Sequence, residues 1–433
     1  MKEWSDSKEV SRMLRKETLP NGVRIVTEEI PHVKSVAIGL WVGAGTRDEG
    51  EDNQGISHFI EHMLFKGTQK RSAKDLAESL EAVGGQLNAF TTKEYTCYYA
   101  KILDEDLDLA IDVLSDMYFN SKFEPKEIEK EKKVVIEEIK MYEDSPDELI
   151  HDIFTQTVWK GHPLGKPILG TSESIAGMNR QKILSFLAQN YTPQNLVIAV
   201  AGSINYKQIH DKLAPIFGSF SGSRQRNLDV KPKAGTVIKH ISKDTEQTQI
   251  VMGVPGLAQD DPQIYPLHIF NNILGGGLSS RLFQEIREER GMAYSVYSYH
   301  STFVDSGLFA VYAGTSPGNS EAVIECILAE LAKLKQEGIS PNELERTKAQ
   351  IKGSLYLSLE SVSSRMSRLG KTELSFDRIV PLEEVVQKIG RVEINDVKRL
   401  AESLLNSSVL SLTTIGPGEL GFDFKQMVGR SGL

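Results

Sequence analysis

Apolar residues cluster at 23–28 and again at 35–43, and these runs predict two strands. Gly43, Gly45 and the charged run 47–53 then read as a loop, and a helix is predicted over 56–66. Ser72 followed by Asp75 is a capping-box start for a helix over 73–83, which Gly84-Gly85 stops. Aromatics and threonines crowd 86–90 and 96–103, the signature of strands. Helical periodicity returns over 105–119 and 125–143, where Pro125 suits a first turn, and over 146–159. Residues 161–170 form a Gly/Pro loop, and helices over 180–190 and 206–217 flank a strand at 195–201. Residues 218–235 are rich in Ser, Gly, Arg, Lys and Pro without periodicity, which reads as a linker.

After that stretch the order of elements starts again. Strands at 236–241 and 247–254 precede helices over 262–274 and 280–290. Strands at 293–300 and 307–313 follow, then helices over 320–337 and 341–359. The fold class expected is therefore α+β, built from two homologous halves of roughly 200 residues, each a sheet packed with helices. The expected boundaries are a polar tail over 1–16, a first half over 17–217, the linker 218–235 and a second half over 236–433. The duplication extends to residues. Ser57-His58-Phe59-Ile60-Glu61-His62-Met63-Leu64 lines up with Leu267-His268-Ile269-Phe270-Asn271-Asn272-Ile273-Leu274, since 268 − 58 = 210. The apolar frame is kept, while Glu61 and His62 meet Asn271 and Asn272. Only the first copy keeps ionisable groups there.

Composition narrows the function classes. The 433 residues carry 50 Lys and Arg against 59 Asp and Glu, a formal charge of −9, which argues against a nucleic-acid partner. Two cysteines, Cys97 and Cys326, can neither staple a scaffold nor build a thiolate metal cage. No run approaches the roughly 18 apolar residues of a membrane span. The opening MKEWSDSKEVSRMLRKE lacks an apolar core and mixes in acids, unlike a secretory or transit leader. A cytoplasmic, membrane-free location is expected.

The chemistry concentrates in His58-Phe59-Ile60-Glu61-His62, of the form H-x-x-E-H. Residues i and i+4 of a helix face the same way, so His58 and His62 can grip one zinc ion. Glu61 sits beside them, where a carboxylate can take a proton from an attacking water. The plain alternative is a surface helix with two ordinary histidines. A catalytic zinc needs a third protein ligand, and the helix over 125–143 offers Glu131, Glu137 and Glu138. Its apolar stripe is Ile128, Val135, Ile139 and Tyr142. Glu131 and Glu138, seven apart, align within about 20° and border that stripe, whereas Glu137 lies about 160° from Val135. Helix geometry favours Glu138 as the ligand and Glu131 as its outer support. Alternatively, all three are solvated acids of a charged helix.

These motifs resemble the pitrilysin/insulinase-type zinc peptidases, nearest to the β subunit of the mitochondrial processing peptidase and its bacterial relatives. The resemblance runs from Leu19-Pro20-Asn21-Gly22 through Gly55–Thr68 and covers nearly the whole chain after residue 17. In that family a Glu about 76 residues beyond the second His completes the zinc site; here 138 − 62 = 76. The resemblance gives Glu131 a supporting acidic role. It also makes Gly84–Thr91 an edge strand where substrate adds as an extra strand, with Asn88, Ala89 and Phe90 in contact. In the second half, Arg287 and Tyr294 match a family pair that reaches the substrate, Tyr294 toward the carbonyl oxygen. The run Gly275-Gly276-Gly277 has no G-K-[ST] after it, so nucleotide binding is rejected.

The resemblance implies two mainly antiparallel α/β halves closing as a clamshell and one Zn2+ per chain. It implies a metalloendopeptidase acting on extended peptides or precursor segments, working as a homodimer or with an inactive paralogue. The competing expectations are a non-catalytic scaffold subunit of the same family, or an accessory processing subunit that requires a second member.

Overall fold

The computed structural model describes residues 13–223, 231–233 and 235–433. The chain forms two compact units, and neither is continuous in sequence. The first takes Met1–Lys140, Lys166–Asn227 and Tyr356–Val380; the second takes Met141–Gly165, Leu228–Leu355 and Pro381–Leu433.

The sheet of the first unit contains β1 (Leu14–Thr18), β2 (Arg24–Glu29), β3 (Ser35–Val42), β4 (Gln86–Thr91), β5 (Thr96–Leu103) and β6 (Leu196–Gly202), in the order β1-β2-β6-β3-β5-β4. All neighbours pair antiparallel except β2 and β6, which are parallel. The second unit has β7 (Ile238–Ser242), β8 (Thr248–Pro255), β9 (Ala293–Thr302), β10 (Gly307–Thr315) and β11 (Ser411–Gly416), in the order β7-β11-β8-β10-β9. Here too one pair, β7 with β11, is parallel and the rest antiparallel. With β1 set aside, both sheets read first, fifth, second, fourth, third strand. The duplication suggested by eight aligned residues is thus repeated in topology.

Five helices carry the argument: α1 (Ile56–Leu64), α2 (Pro125–Glu143), α3 (Pro146–Val158), α4 (Ile264–Gly275) and α5 (Val362–Phe376). The first sheet is buried on both faces, which is why β3 reads as the near-continuous apolar run SVAIGLWV. Alternate residues Ile38, Leu40 and Val42 pack with Phe59, Ile60 and Met63 of α1. Ala37 and Trp41 point the other way, into a cluster with Val362, Met366 and Leu369 of α5. The second sheet is built alike. Ile250, Met252 and Val254 pack with Phe270 of α4, and Val251, Ala310 and Tyr312 pack with Ile150 and Phe154 of α3.

This arrangement corrects the expectation of two halves cut at 217 and 236. A sheet buried on both faces needs two covers, and local helices supply only one. The second cover comes from across the sequence: α5 for the first sheet, α3 for the second. Residues 14–16, assigned to a polar tail, open β1, which pairs Leu14 with Glu28. Its sequence LRKET is polar because an edge strand buries little. Of the linker 218–235, residues 224–230 and 234 lie outside the described residues, as do 1–12 of the tail. The helix expected over 280–290 is wound as a π-helical stretch at Phe283–Glu289. Among the described residues no helix is long and apolar enough to cross a membrane.

Candidate metal centre

Helix α1 starts at Gly55, whose φ of 82° is left-handed and whose added Cβ would meet Leu169 O at 2.5 Å. Ile56, Phe59, Ile60, Met63 and Leu64 are buried against the first core, which orients the opposite stripe. On that stripe the rings of His58 and His62 stand 4.5 Å apart, centre to centre. Helix α2 buries Ile128, Val135 and Ile139, and beside them Glu131. Glu138 Oε1 lies 3.8 Å from His58 Nε2, and Glu138 Oε2 lies 3.7 Å from His62 Nε2. One donor atom from each of His58, His62 and Glu138 falls within 4.8 Å of the others. Glu137 instead pairs with Lys140 at the surface, at 2.7 Å.

This donor set fits zinc. Tetrahedral bonds of about 2.0–2.2 Å separate ligand atoms by about 3.3–3.6 Å, a few tenths less than the 3.8 and 3.7 Å between Glu138 and the two imidazoles. Burial, and then the charge of His62, push His58 down to about 3, so its imidazole is neutral, the form that binds metal. Its Nδ1 is buried with no hydrogen-bond partner among the described residues. His62 differs: its Nδ1 lies 2.8 Å from Glu131 Oε1. An ionised carboxylate only accepts, so a proton sits on Nδ1. Burial works to lower the His62 pKa, but Glu131 first, then Glu138 and Glu61, outweigh it and hold the ring above its ordinary value. Nε2, the nitrogen facing Glu138, is the one that would hold metal once deprotonated. Burial works against ionising Glu131. Hydrogen bonds from His62 and from Lys66, whose Nζ is 2.6 Å away, outweigh it and hold the carboxyl below its ordinary value.

Glu61 is raised above the usual carboxylate range, first by burial and further by the charge of Glu138. The Thr91 hydroxyl, at the end of β4, donates to it. Among the described residues β4 pairs only with β5, which leaves its other edge without a partner strand there. Asn88 is exposed there and accepts from the Ala89 amide at 2.8 Å, while Ala89 and Phe90 are half-buried. Phe90 stands edge-on to Trp41, ring centres 5.6 Å apart. A cleft of about 440 Å³ opens beside the strand between Phe65, Glu81, Leu87 and Asn88.

Arg287 and Tyr294 belong to the second unit. The guanidinium lies over the Phe283 ring at 4.7 Å and the Tyr294 ring at 4.8 Å, and donates to the Tyr294 carbonyl at 2.9 Å. The Tyr294 side chain on edge strand β9 is 75% exposed. In α4, His268 stands where His58 does in α1, but its Nδ1 pairs with His300 Nε2 at 3.1 Å. Sequence reasoning did not single out Lys66, Thr91 or Glu49. Lys66 was findable, four residues past His62 on the same face; Glu49 has no local signal.

Two imidazoles and a carboxylate, here on a duplicated α+β scaffold, are the kind of three-residue donor set that holds zinc in hydrolases. Comparison with known proteins identifies the lineage. The insulinase (peptidase family M16) model matches residues 24–172, and the peptidase M16 inactive-domain model matches 177–351. A Bacillus subtilis protein named uncharacterized zinc protease YmxG is 47% identical over 405 residues, covering 94% of this chain and 98% of its own. A Streptomyces coelicolor uncharacterized zinc protease is 40% identical over 93% of this chain and 90% of its own. A Pseudomonas fluorescens crystal structure, titled as a peptidase M16 inactive domain, superposes with a TM-score of 0.88. It covers 94% of this chain and 98% of its own, and at 20% identity it speaks for the fold alone. The chain belongs to the insulinase-type M16 peptidase family.

Proposed function

We propose that the protein is a zinc-dependent endopeptidase that cleaves peptides or unfolded precursor segments presented as extended strands. The observation that carries this reading is the convergence of His58, His62 and Glu138 within 4.8 Å, with Glu61 on the same helix. Zinc held there would supply Lewis acidity to the attacking water and the scissile carbonyl.

The remaining roles fall to the chain. Glu131, held by Lys66, keeps the proton on His62 Nδ1 and fixes the ring. Glu61, a half-buried base of raised pKa, takes the proton of the attacking water and passes it to the leaving amine. The free edge of β4, with Asn88, Ala89 and Phe90, receives the substrate backbone by main-chain hydrogen bonds. Arg287 and Tyr294 are assigned by family resemblance to the substrate backbone and its carbonyl oxygen. A homodimer is proposed on the same ground, and a solution mass measurement tests it.

The test is cleavage of a peptide library read by mass spectrometry, with and without chelator, on wild type and Glu61→Gln. Wild type should bind about one zinc per chain and lose cleavage with chelator. Glu61→Gln should keep zinc and lose cleavage by at least about a hundredfold, as expected for a general base. Zinc-loaded Glu61→Gln that still cleaves would end this mechanism.

A further inference from the structure

One fully enclosed acid has no role in that scheme. Glu49 is 4% exposed and follows the short turn Thr46–Asp48. Its Oε2 accepts the Gly55 amide at 2.7 Å and its Oε1 accepts the Ser57 amide at 3.0 Å. Those are amides of the start of α1, where a helix has no internal partners for its N–H groups. Gly55 has no side chain to cap them, and its left-handed backbone and the nearby Leu169 carbonyl bar any residue that could. Burial raises the Glu49 pKa to about 8 against the pull of the two amides, and a carboxyl group from outside the helix thus accepts the hydrogen bonds that an ordinary cap residue would accept.

The two metal-binding histidines are held differently. His62 is oriented by Glu131 through Nδ1. His58 has no such hydrogen bond among the described residues: its Nδ1 is buried without a partner there. Its position therefore depends on packing and on the first turn of α1, and Ser57, whose amide Glu49 holds, is the residue before it. Lys166 adds a second tie to the same loop, its Nζ reaching the Glu49 carbonyl at 3.4 Å and Glu51 Oε1 at 3.0 Å.

We infer that Glu49 is a positioning residue for the metal site: by clamping the first turn of α1 it sets His58, as Glu131 sets His62. This rests on the zinc-centre reading above. Exchanging carboxyl for amide keeps the size but points an NH2 at an amide donor, so Glu49→Gln loosens the turn without emptying the pocket.

The test uses the full chain. Zinc affinity is measured by competition with a chromophoric chelator, the cobalt-substituted visible spectrum is recorded, and the metal-free melting temperature is determined, for wild type, Glu49→Gln and Glu49→Asp. All affinities are read well below each melting temperature. Glu49→Gln should bind zinc about tenfold more weakly and alter the cobalt spectrum, the scale of effect usual for groups that orient ligands. Glu49→Asp should fall between. If Glu49→Gln only melts earlier, with wild-type affinity and spectrum, Glu49 merely stabilises and the inference fails. If wild type itself binds no zinc, the zinc-centre reading fails, a separate result.

Discussion

Replacing Gly370 by alanine tests the idea that α5 closes the outer face of the metal-bearing sheet. Gly370 is buried in the middle of α5. A Cβ added there would stand 2.3 Å from Trp41 Cε2 and Nε1 and 2.5 Å from Cδ1. Ordinary contact begins near 3.4 Å, so the overlap exceeds 1 Å. The indole cannot step aside. It is 1% exposed, its Nε1 donates to Met366 Sδ at 3.2 Å, and Phe90 and Tyr95 flank it at 5.6 and 5.5 Å. Helix propensity alone favours the alanine by about 1 kcal/mol. Overpacking a core costs typically about 1–3 kcal/mol and occasionally more, and an overlap above 1 Å against a locked indole puts this site at or just above the top of that range. The net is a loss of roughly 2–3 kcal/mol, or about 4–12 °C of melting temperature for a unit of this size. Gly353, in the helix Pro341–Ser358, is the control, because a Cβ there meets nothing within 4 Å. Gly353→Ala should be neutral or gain up to about 1 kcal/mol. Thermal and urea unfolding of both variants, followed by tryptophan fluorescence, decide the matter. A Gly370→Ala protein as stable as Gly353→Ala would refute the packing argument.

Two further outcomes follow from the electrostatics. Glu131→Gln breaks the charge-assisted pair with Lys66 and weakens the hold on His62, so zinc affinity by chelator competition should fall 10–100-fold. Lys66→Met, whose side chain is partly solvated, should cost less, up to about tenfold, and equal affinity in both variants would contradict the network. In the second unit, burial holds His151 below the ordinary imidazole value against the charge of Asp147, and its ring nitrogens meet Tyr299 and Tyr297 hydroxyls at 2.8 and 3.1 Å. A lowered folded pKa means the unfolded chain takes the proton first. The contribution is complete above about pH 6.5 and is lost as pH falls toward the folded value. His151→Phe should therefore show a shallower loss of stability between about pH 6.5 and 5 in urea titrations. A slope equal to wild type would sink this assignment.

Local rules made part of this molecule legible. The i, i+4 spacing alone puts His58 and His62 on one face of α1. The stripe Ile128, Val135 and Ile139 divides the acids of α2: Glu131 is buried beside it, Glu138 faces the histidines, and Glu137 turns to Lys140. Strands buried on both faces were visible as apolar runs. Other features leave no such trace. β1 is a polar pentapeptide with no buried residue, which looks like a tail. The apolar stripes of α3 and α5 say that a face is buried, but not against which sheet, so the exchange of covers between halves could not be read. Glu49 acts on amides six and eight residues away through a loop, and no periodicity marks such a contact.

The shared strand order gives the duplication a functional consequence. In each sheet the third strand of the repeat is the edge, β4 in one and β9 in the other, and the first long helix between the second and third strands is α1 or α4. Backbone topology therefore offers both units the same place for chemistry, a helix beside an open strand edge. The two units differ in side chains. The first has His58, Glu61 and His62 on the helix and a carboxylate from α2. The second has Asn271 and Asn272, and its remaining helix imidazole is engaged by His300. Among the described residues only the first unit gathers three metal donors. The second edge keeps another kind of group, the exposed Tyr294 with Arg287 stacked on it. A copy freed from holding metal loses the donors but not the edge. Residues on β9 are accordingly where substrate-contacting function in the second unit should be sought, and Tyr294, which the second core does not use, is the first of them.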